Sequence, residues 1–136
     1  MTVNLLQSQF HQETGTVGIL KKLDAGISVE SIEHLAAYLG ISVNELLVHL
    51  RLSRSTWHRR KKTGTLDFDL SDRVFQASRL LEYAGNVFGS REKVRLWFTL
   101  PSIVFENKRP VELIGSISGW NLINDELIRI EHGIFA

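Results

Sequence analysis

The sequence predicts an all-α protein, and three observations carry that expectation. Apolar residues recur at steps of three and four along most of the chain, while no segment alternates apolar and polar positions long enough to define a strand. Ser, Asp and Gly stand where helices would be capped and ended. Both prolines, Pro101 and Pro110, fall between periodic segments and not inside them. At 136 residues, with 43% hydrophobic and 23% charged, the chain has the apolar content to fold and room for one or two small cores.

Taken in order, residues 1–16 read as a flexible polar lead-in carrying Gln7, Gln9, Gln12 and Gly15. A first helix runs from Val17 through Leu20 to Leu23, with Gly26 as its stop. Ser28 caps a second, in which Val29, Ile32, Leu35, Ala36 and Leu39 recur at helical spacing before Gly40 ends it. Ser42 caps a third with an apolar stripe of Val43, Leu46, Leu47 and Leu50, and Ser53 caps a basic fourth that ends near Gly64.

The polar junction from Asp67 to Asp72 then opens a longer helix holding Val74, Phe75, Ala77, Ser78, Leu81, Ala84 and Phe88, with Asp69 or Ser71 as its cap and Gly89 as its close. Ser90 caps a segment that sets Val94, Trp97 and Phe98 on one face and stops at Pro101. Pro110 stands where a further helix would begin, ahead of Val111, Leu113 and Ile114. Trp120, Ile123, Leu127 and Ile130 define the last helix, with Gly133 as its stop. The expected organisation is a lead-in at 1–16, a helix-turn-helix unit at 17–66 and a second small helical domain at 67–136.

The stretch from Glu45 to Gly64 is the most informative. An apolar helix meets a short break and then a basic helix, the order a helix-turn-helix needs, because one helix buries its Leu face while the next offers donors to phosphates and base edges. Between Glu45 and Asp67 no acidic residue interrupts Arg51, Arg54, Arg59, Arg60, Lys61 and Lys62, so a locally positive field arises on a chain of formal charge only +1. In this reading Ser53, Arg54, Ser55, Thr56, His58 and Arg59 lie nearest the groove, and Arg60, Lys61 and Lys62 meet phosphates. Trp57, flanked by Leu50 and Leu52, belongs to the core and sets the docking angle. The competing reading is a solvated basic face favoured by the helix dipole.

Signals for catalysis are missing. The five histidines, His11, His34, His49, His58 and His132, form no metal-binding spacing, and the glycines are dispersed at helix ends and do not build a phosphate-cradling loop. Asp67, Asp69 and Asp72 lack the glycine and terminal glutamate of a calcium loop. No catalytic residue, metal site or cofactor is expected. Without cysteine the chain has no disulfide framework, and with no apolar run near ~18 residues it has no candidate span, so a cytoplasmic protein without membrane contact is expected.

The C-terminal half carries ordered motifs: Asn86 to Phe98, then Pro101, Arg109 to Ile114, Gly119, and Arg129 to Ala136. In these it resembles the toxin-binding domain of the MbcA/ParS/Xre antitoxin family. Glu45 to Gly64 and Leu70 to Val74 look like the N-terminal part of the same antitoxins, so the resemblance covers most of the chain beyond about Gly26. It implies an Xre-like helix-turn-helix unit followed by a toxin-binding and dimerisation domain. It further implies an antitoxin of a type II pair that blocks a RES-type, NAD-degrading toxin, binds operator DNA to repress its own operon, and forms a homodimer or a larger assembly with the toxin.

By that resemblance Arg129, Glu131, His132, Gly133, Ile134, Phe135 and Ala136 form the terminal motif that meets the toxin near its active site. Trp97, Pro101, Pro110, Leu113 and Gly119 fall on positions that shape the domain, some of them serving its self-association. Read physically, the apolar end is either a strip docked on the protein's own core or a segment awaiting a partner. A transcriptional regulator with an all-α dimerisation domain and no toxin accounts for the same features. One departure stands out: where the family commonly has a small Leu-Gly-Gly-like turn, this chain has Phe105 to Pro110. Asn107 can take a left-handed conformation there, whereas Glu106 is not expected to do so cheaply.

Overall fold

A computed structural model of the protein describes residues 15–133; the lead-in residues 1–14, and Ile134, Phe135 and Ala136, lie outside the described residues. Seven α-helices are present among them and no strand, as the periodicity predicts. They are α1 (Thr16–Ala25), α2 (Glu30–Leu39), α3 (Val43–His49), α4 (Arg54–Thr63), α5 (Phe68–Phe88), α6 (Arg91–Thr99) and α7 (Ile117–His132), with short 3-10 turns at Ile103–Phe105 and Pro110–Leu113.

Helix starts follow the capping residues. The side chains of Ser42, Ser53, Asp67, Ser90 and Ser116 each accept a backbone N–H from three residues on, satisfying a donor that the first turn would leave orphaned. At α5 the cap differs from expectation. Asp67 takes the Leu70 N–H at 2.9 Å, so the helix starts a turn earlier than a cap at Ser71 would allow, and Asp69 sits in its first turn. Ser71 instead is fully buried, accepting from the Ile27 N–H at 2.9 Å and donating to the Leu66 carbonyl at 3.3 Å. Its hydroxyl ties the end of the α1–α2 connection to the α4–α5 connection.

Two further differences have clear causes. In α1 the inward positions are Ile19 and Leu23, which pack with Ile27 against Phe75 of α5, while Val17 is 67% exposed and Leu20 also faces solvent. Pro110 opens only one 3-10 turn, because the chain must then pass close beneath α3: a Cβ on Gly115 would collide with the His49 carbonyl oxygen. At Gly119 a Cβ would collide with the Leu113 carbonyl, so α7 can pack against that turn only with glycine there.

One apolar core runs from Val29, just before α2, to Leu127 on α7, centred on fully buried Leu35, Leu39, Leu46, Ala84, Val94, Phe98 and Ile123. The 21-residue α5 is its spine, packed by α1, α2, α6 and α7. Trp97 lies amid Phe88, Phe98 and Phe105 with ring centroids 4.9–6.2 Å apart, offset and edge-on arrangements that favour aromatic pairs.

Arginines from the C-terminal half close helix ends in the N-terminal half. Arg91 of α6 donates to the Ala37 and Tyr38 carbonyls at 2.6 and 3.3 Å and lies over the Tyr38 ring, capping α2. Arg73 of α5 donates to the Leu50 and Arg51 carbonyls just after α3. These groups would otherwise be orphan acceptors at the negative ends of helix dipoles.

Candidate functional site

The Ser42–Gly64 segment forms two short helices joined by a tight break. Leu46, Leu47, Leu50 and Leu52 are buried, which fixes α3 and the break on the core. Arg51 turns the chain with φ 60°, a left-handed conformation in which glycine is the undemanding choice. Ser53 then starts α4, its hydroxyl accepting from the Thr56 N–H at 3.1 Å and donating to Thr56 Oγ1 at 2.9 Å.

Helical geometry sorts the predicted residues of α4. Trp57 is buried and faces the core, as its indole requires. Arg54, Ser55, His58, Arg59 and Lys62 are exposed at positions i, i+1, i+4, i+5 and i+8, which share one outward face. Thr56 is half-buried and engaged by the cap. Two predicted residues are placed apart from that stripe. Arg60 turns back to Asp67, its Nη2 3.3 Å from the carboxylate, and so ties α4 to the cap of α5. Lys61 rests its ammonium 5.5 Å from the centre of the Trp57 ring.

Beside the stripe lies a shallow hollow of about 290 Å³ lined by Ser42, Val43, Asn44, Arg54, Trp57, His58, Lys61 and the acidic Glu33 of α2. Ser42 and Asn44 come from the start of α3; the sequence marks Ser42 only as a helix cap and gives Asn44 no role. Local pattern does not place them beside the basic residues; the fold does, in a common hollow. The arrangement offers guanidinium, ammonium, imidazole, hydroxyl and amide donors on one side of the molecule, with the carboxylate of Glu45 drawn away to His49 and Arg109 at 3.2 and 3.0 Å.

The predicted terminal residues end α7. Arg129 reaches the Glu126 carboxylate at 3.5 Å, close enough for an ion pair; the Glu126 side chain is only 8% exposed. Glu131 accepts a hydrogen bond from the Tyr83 hydroxyl at 2.7 Å, and His132 lies 3.6 Å from the same carboxylate. Partial desolvation, together with this hydrogen bond, pushes the Tyr83 phenol up to about 12. Gly133 closes the helix in the left-handed conformation with φ 67°. Arg129, Glu131, His132 and Gly133 are all exposed, and Ile134, Phe135 and Ala136 lie outside the described residues.

Between the α6 end and Pro110, the turn that departs from the glycine-rich pattern puts both Glu106 (φ 56°) and Asn107 (φ 68°) in the left-handed region. Glu106 takes this conformation in spite of the cost it carries for a residue with a Cβ. Paired Ser102 N–H to Lys108 O and Asn107 N–H to Ser102 O bonds, at 3.0 and 2.8 Å, close the turn over the buried Phe105 ring and hold Glu106 in place. No cluster of His, Asp and Glu suited to a metal occurs among the described residues, and no described helix is long and apolar enough to cross a membrane.

Comparison with known proteins matches both halves. The model of the antitoxin Xre-like helix-turn-helix domain matches residues 19–79, and that of the antitoxin Xre/MbcA/ParS C-terminal toxin-binding domain matches residues 84–133. The chain is 27% identical over 124 residues to a Yersinia enterocolitica protein named antitoxin Xre, covering 90% of this chain and 83% of that one. It is 26% identical over 87 residues to a Pseudomonas putida protein of the same name, covering 64% of this chain and 53% of the other. With the two domain types in the same order as the two halves described above, the chain belongs to the Xre/MbcA/ParS antitoxin family.

Proposed function

We propose that this protein neutralises a cognate RES-type, NAD-degrading toxin by obstructing its active site with the C-terminal segment from Arg129 to Ala136, and that it binds operator DNA through α4 to repress its own operon. Residues 17–66 serve DNA and residues 67–136 serve the toxin and self-association, without catalysis by the antitoxin itself. The observation that carries the reading is the outward stripe of Arg54, Ser55, His58, Arg59 and Lys62, held on a helix whose opposite side is buried through Trp57. A helix so anchored can enter a major groove without losing its place on the core, and its flanking cations can neutralise phosphates. Resemblance supports the toxin class.

A mobility-shift assay on the DNA upstream of the gene tests the DNA arm. Wild-type protein is expected to shift the fragment, and Arg54→Ala/Arg59→Ala to weaken binding at least about tenfold with helical content unchanged, since each such contact is worth about 1–3 kcal/mol. A wild-type protein that fails to bind, or a double variant that binds equally well, overturns the assignment of α4.

A further inference from the structure

The end of α7 overhangs the core. Leu127 is the last buried residue of the helix, and residues 128–132 beyond it are exposed or half-buried. The last turn of a helix leaves carbonyls without partners, so an end with little packing around it is the part of a fold that opens most readily. In α7 that end carries Arg129, Glu131 and His132, and Gly133 then turns the chain with φ 67°.

A bond from another helix reaches this overhang. Tyr83 of α5 donates its hydroxyl hydrogen to Glu131 Oε1 at 2.7 Å, the short hydrogen bond expected between a phenol and a carboxylate. The Tyr83 ring is half-buried against the core, which fixes the donor, and its phenol, pushed up to about 12, keeps its proton at neutral pH. Arg129 and His132, by contrast, pair within α7, with Glu126 and Glu131. Arg129 and Glu131 stand about 200° apart around the helix, so with Glu131 turned to α5, Arg129 points away from it. A partner that meets Arg129 thus approaches from the side opposite Glu131.

We propose that Tyr83 is a positioning residue for toxin binding: through Glu131 it holds the last turn of α7 on α5, and so sets the direction in which the residues after Gly133 leave the helix. This rests on the reading that the end of α7 meets the toxin, and it makes Glu131 an anchor in place of a contact. The bond lies at the surface, with the Glu131 side chain 42% exposed, so it adds little to the stability of the whole fold. Its effect is local. A segment held in its binding direction binds more tightly than one that takes this direction only part of the time, in proportion to the fraction of time spent there.

Amide hydrogen exchange on the full chain, without toxin, tests the holding; surface plasmon resonance with the toxin encoded by the neighbouring gene tests the aim. Tyr83→Phe keeps the ring against the core and removes only the hydroxyl. It is expected to speed exchange at 130–133 several-fold while core amides and the urea midpoint keep wild-type values, and to weaken toxin binding about fivefold. Glu131→Ala should do the same, and Tyr83→Phe/Glu131→Ala no more than either alone, because all three break one bond. Glu131→Gln still offers the phenol an acceptor and should keep most of the affinity. Unchanged exchange or unchanged toxin binding in Tyr83→Phe overturns the proposal. So does a double variant whose loss is the product of the singles, the result expected if each residue touches the toxin by itself. Failure of the underlying reading looks different: a folded chain lacking Ile130 to Ala136 then binds the toxin as tightly as wild type, and the positioning role falls with it.

Discussion

Arg51 illustrates how a single residue can carry strain for the sake of a turn. Its φ of 60° lies where an L side chain costs about 1–2 kcal/mol relative to glycine, and the residue stays there because Leu50 and Leu52 are buried on either side and Arg73 binds the Leu50 and Arg51 carbonyls. Replacing it relieves the strain but frees the unfolded chain by about 0.5–1 kcal/mol. Arg51→Gly should therefore raise stability by about 0.5–1 kcal/mol, read as a higher urea midpoint at constant m-value. A lower midpoint would mean that the Arg51 stem, which lies against Gly115, contributes more than the backbone strain removes. The same reasoning applies to Glu106, which holds a conformation that is costly for it. Its local preference opposes that conformation, and the hydrogen bonds that override it join residues whose pairing only the folded turn reveals.

At the scale of elements, the junction of α3 with the Pro110–Leu113 turn is electrostatic. Glu45 Oε2 meets His49 Nε2 at 3.2 Å and Arg109 Nη1 at 3.0 Å, while Glu112 accepts the Arg109 backbone N–H at 2.8 Å. The hydrogen bond from His49, and after it Arg109, holds the Glu45 carboxyl below its ordinary value of 4.5 in spite of partial burial; the Arg109 backbone N–H does the same for Glu112. A carboxyl depressed in the folded state stabilises the fold above its unfolded value, and that contribution is lost as pH falls through the folded value. Urea midpoints measured from pH 7 downward should thus fall below about pH 4.5 more steeply for wild type than for Glu45→Gln. Parallel curves would show that this junction does not couple to protonation.

Much of this level was legible in the sequence. The Ser42, Ser53 and Ser90 caps, the Gly stops and the inward Trp57 follow from rules that act within one turn of helix. What escaped depends on distant partners. Ser71 answers to Ile27, 44 residues away, so its cap role passed to Asp67, and Arg60 is drawn from the basic stripe by that same Asp67. Tyr83 reaches Glu131 across 48 residues, a link between α5 and the end of α7 that no periodicity encodes.

For the whole molecule, the two halves are not beads on a string. A shared core from Val29 to Leu127 and the arginines Arg73, Arg91 and Arg109 bind the helix-turn-helix unit to the domain that follows it. A surface engaged at one end is consequently held by the same packed framework as the other, and the molecule presents a cationic helix and a helix terminus in fixed relation. The sequence showed both ends as separate features; the arginine ties that fix their relation, each spanning more than twenty residues, could not be read from local pattern.

In the proposed function the molecule works by occupying a toxin with the end of α7. Co-expression in cells that carry the neighbouring gene's toxin measures this directly, comparing the full chain with one lacking Ile130 to Ala136, whose helical content is checked by circular dichroism. The full chain is expected to restore growth and the folded truncation to leave it arrested. Growth restored equally by the truncation would contradict it.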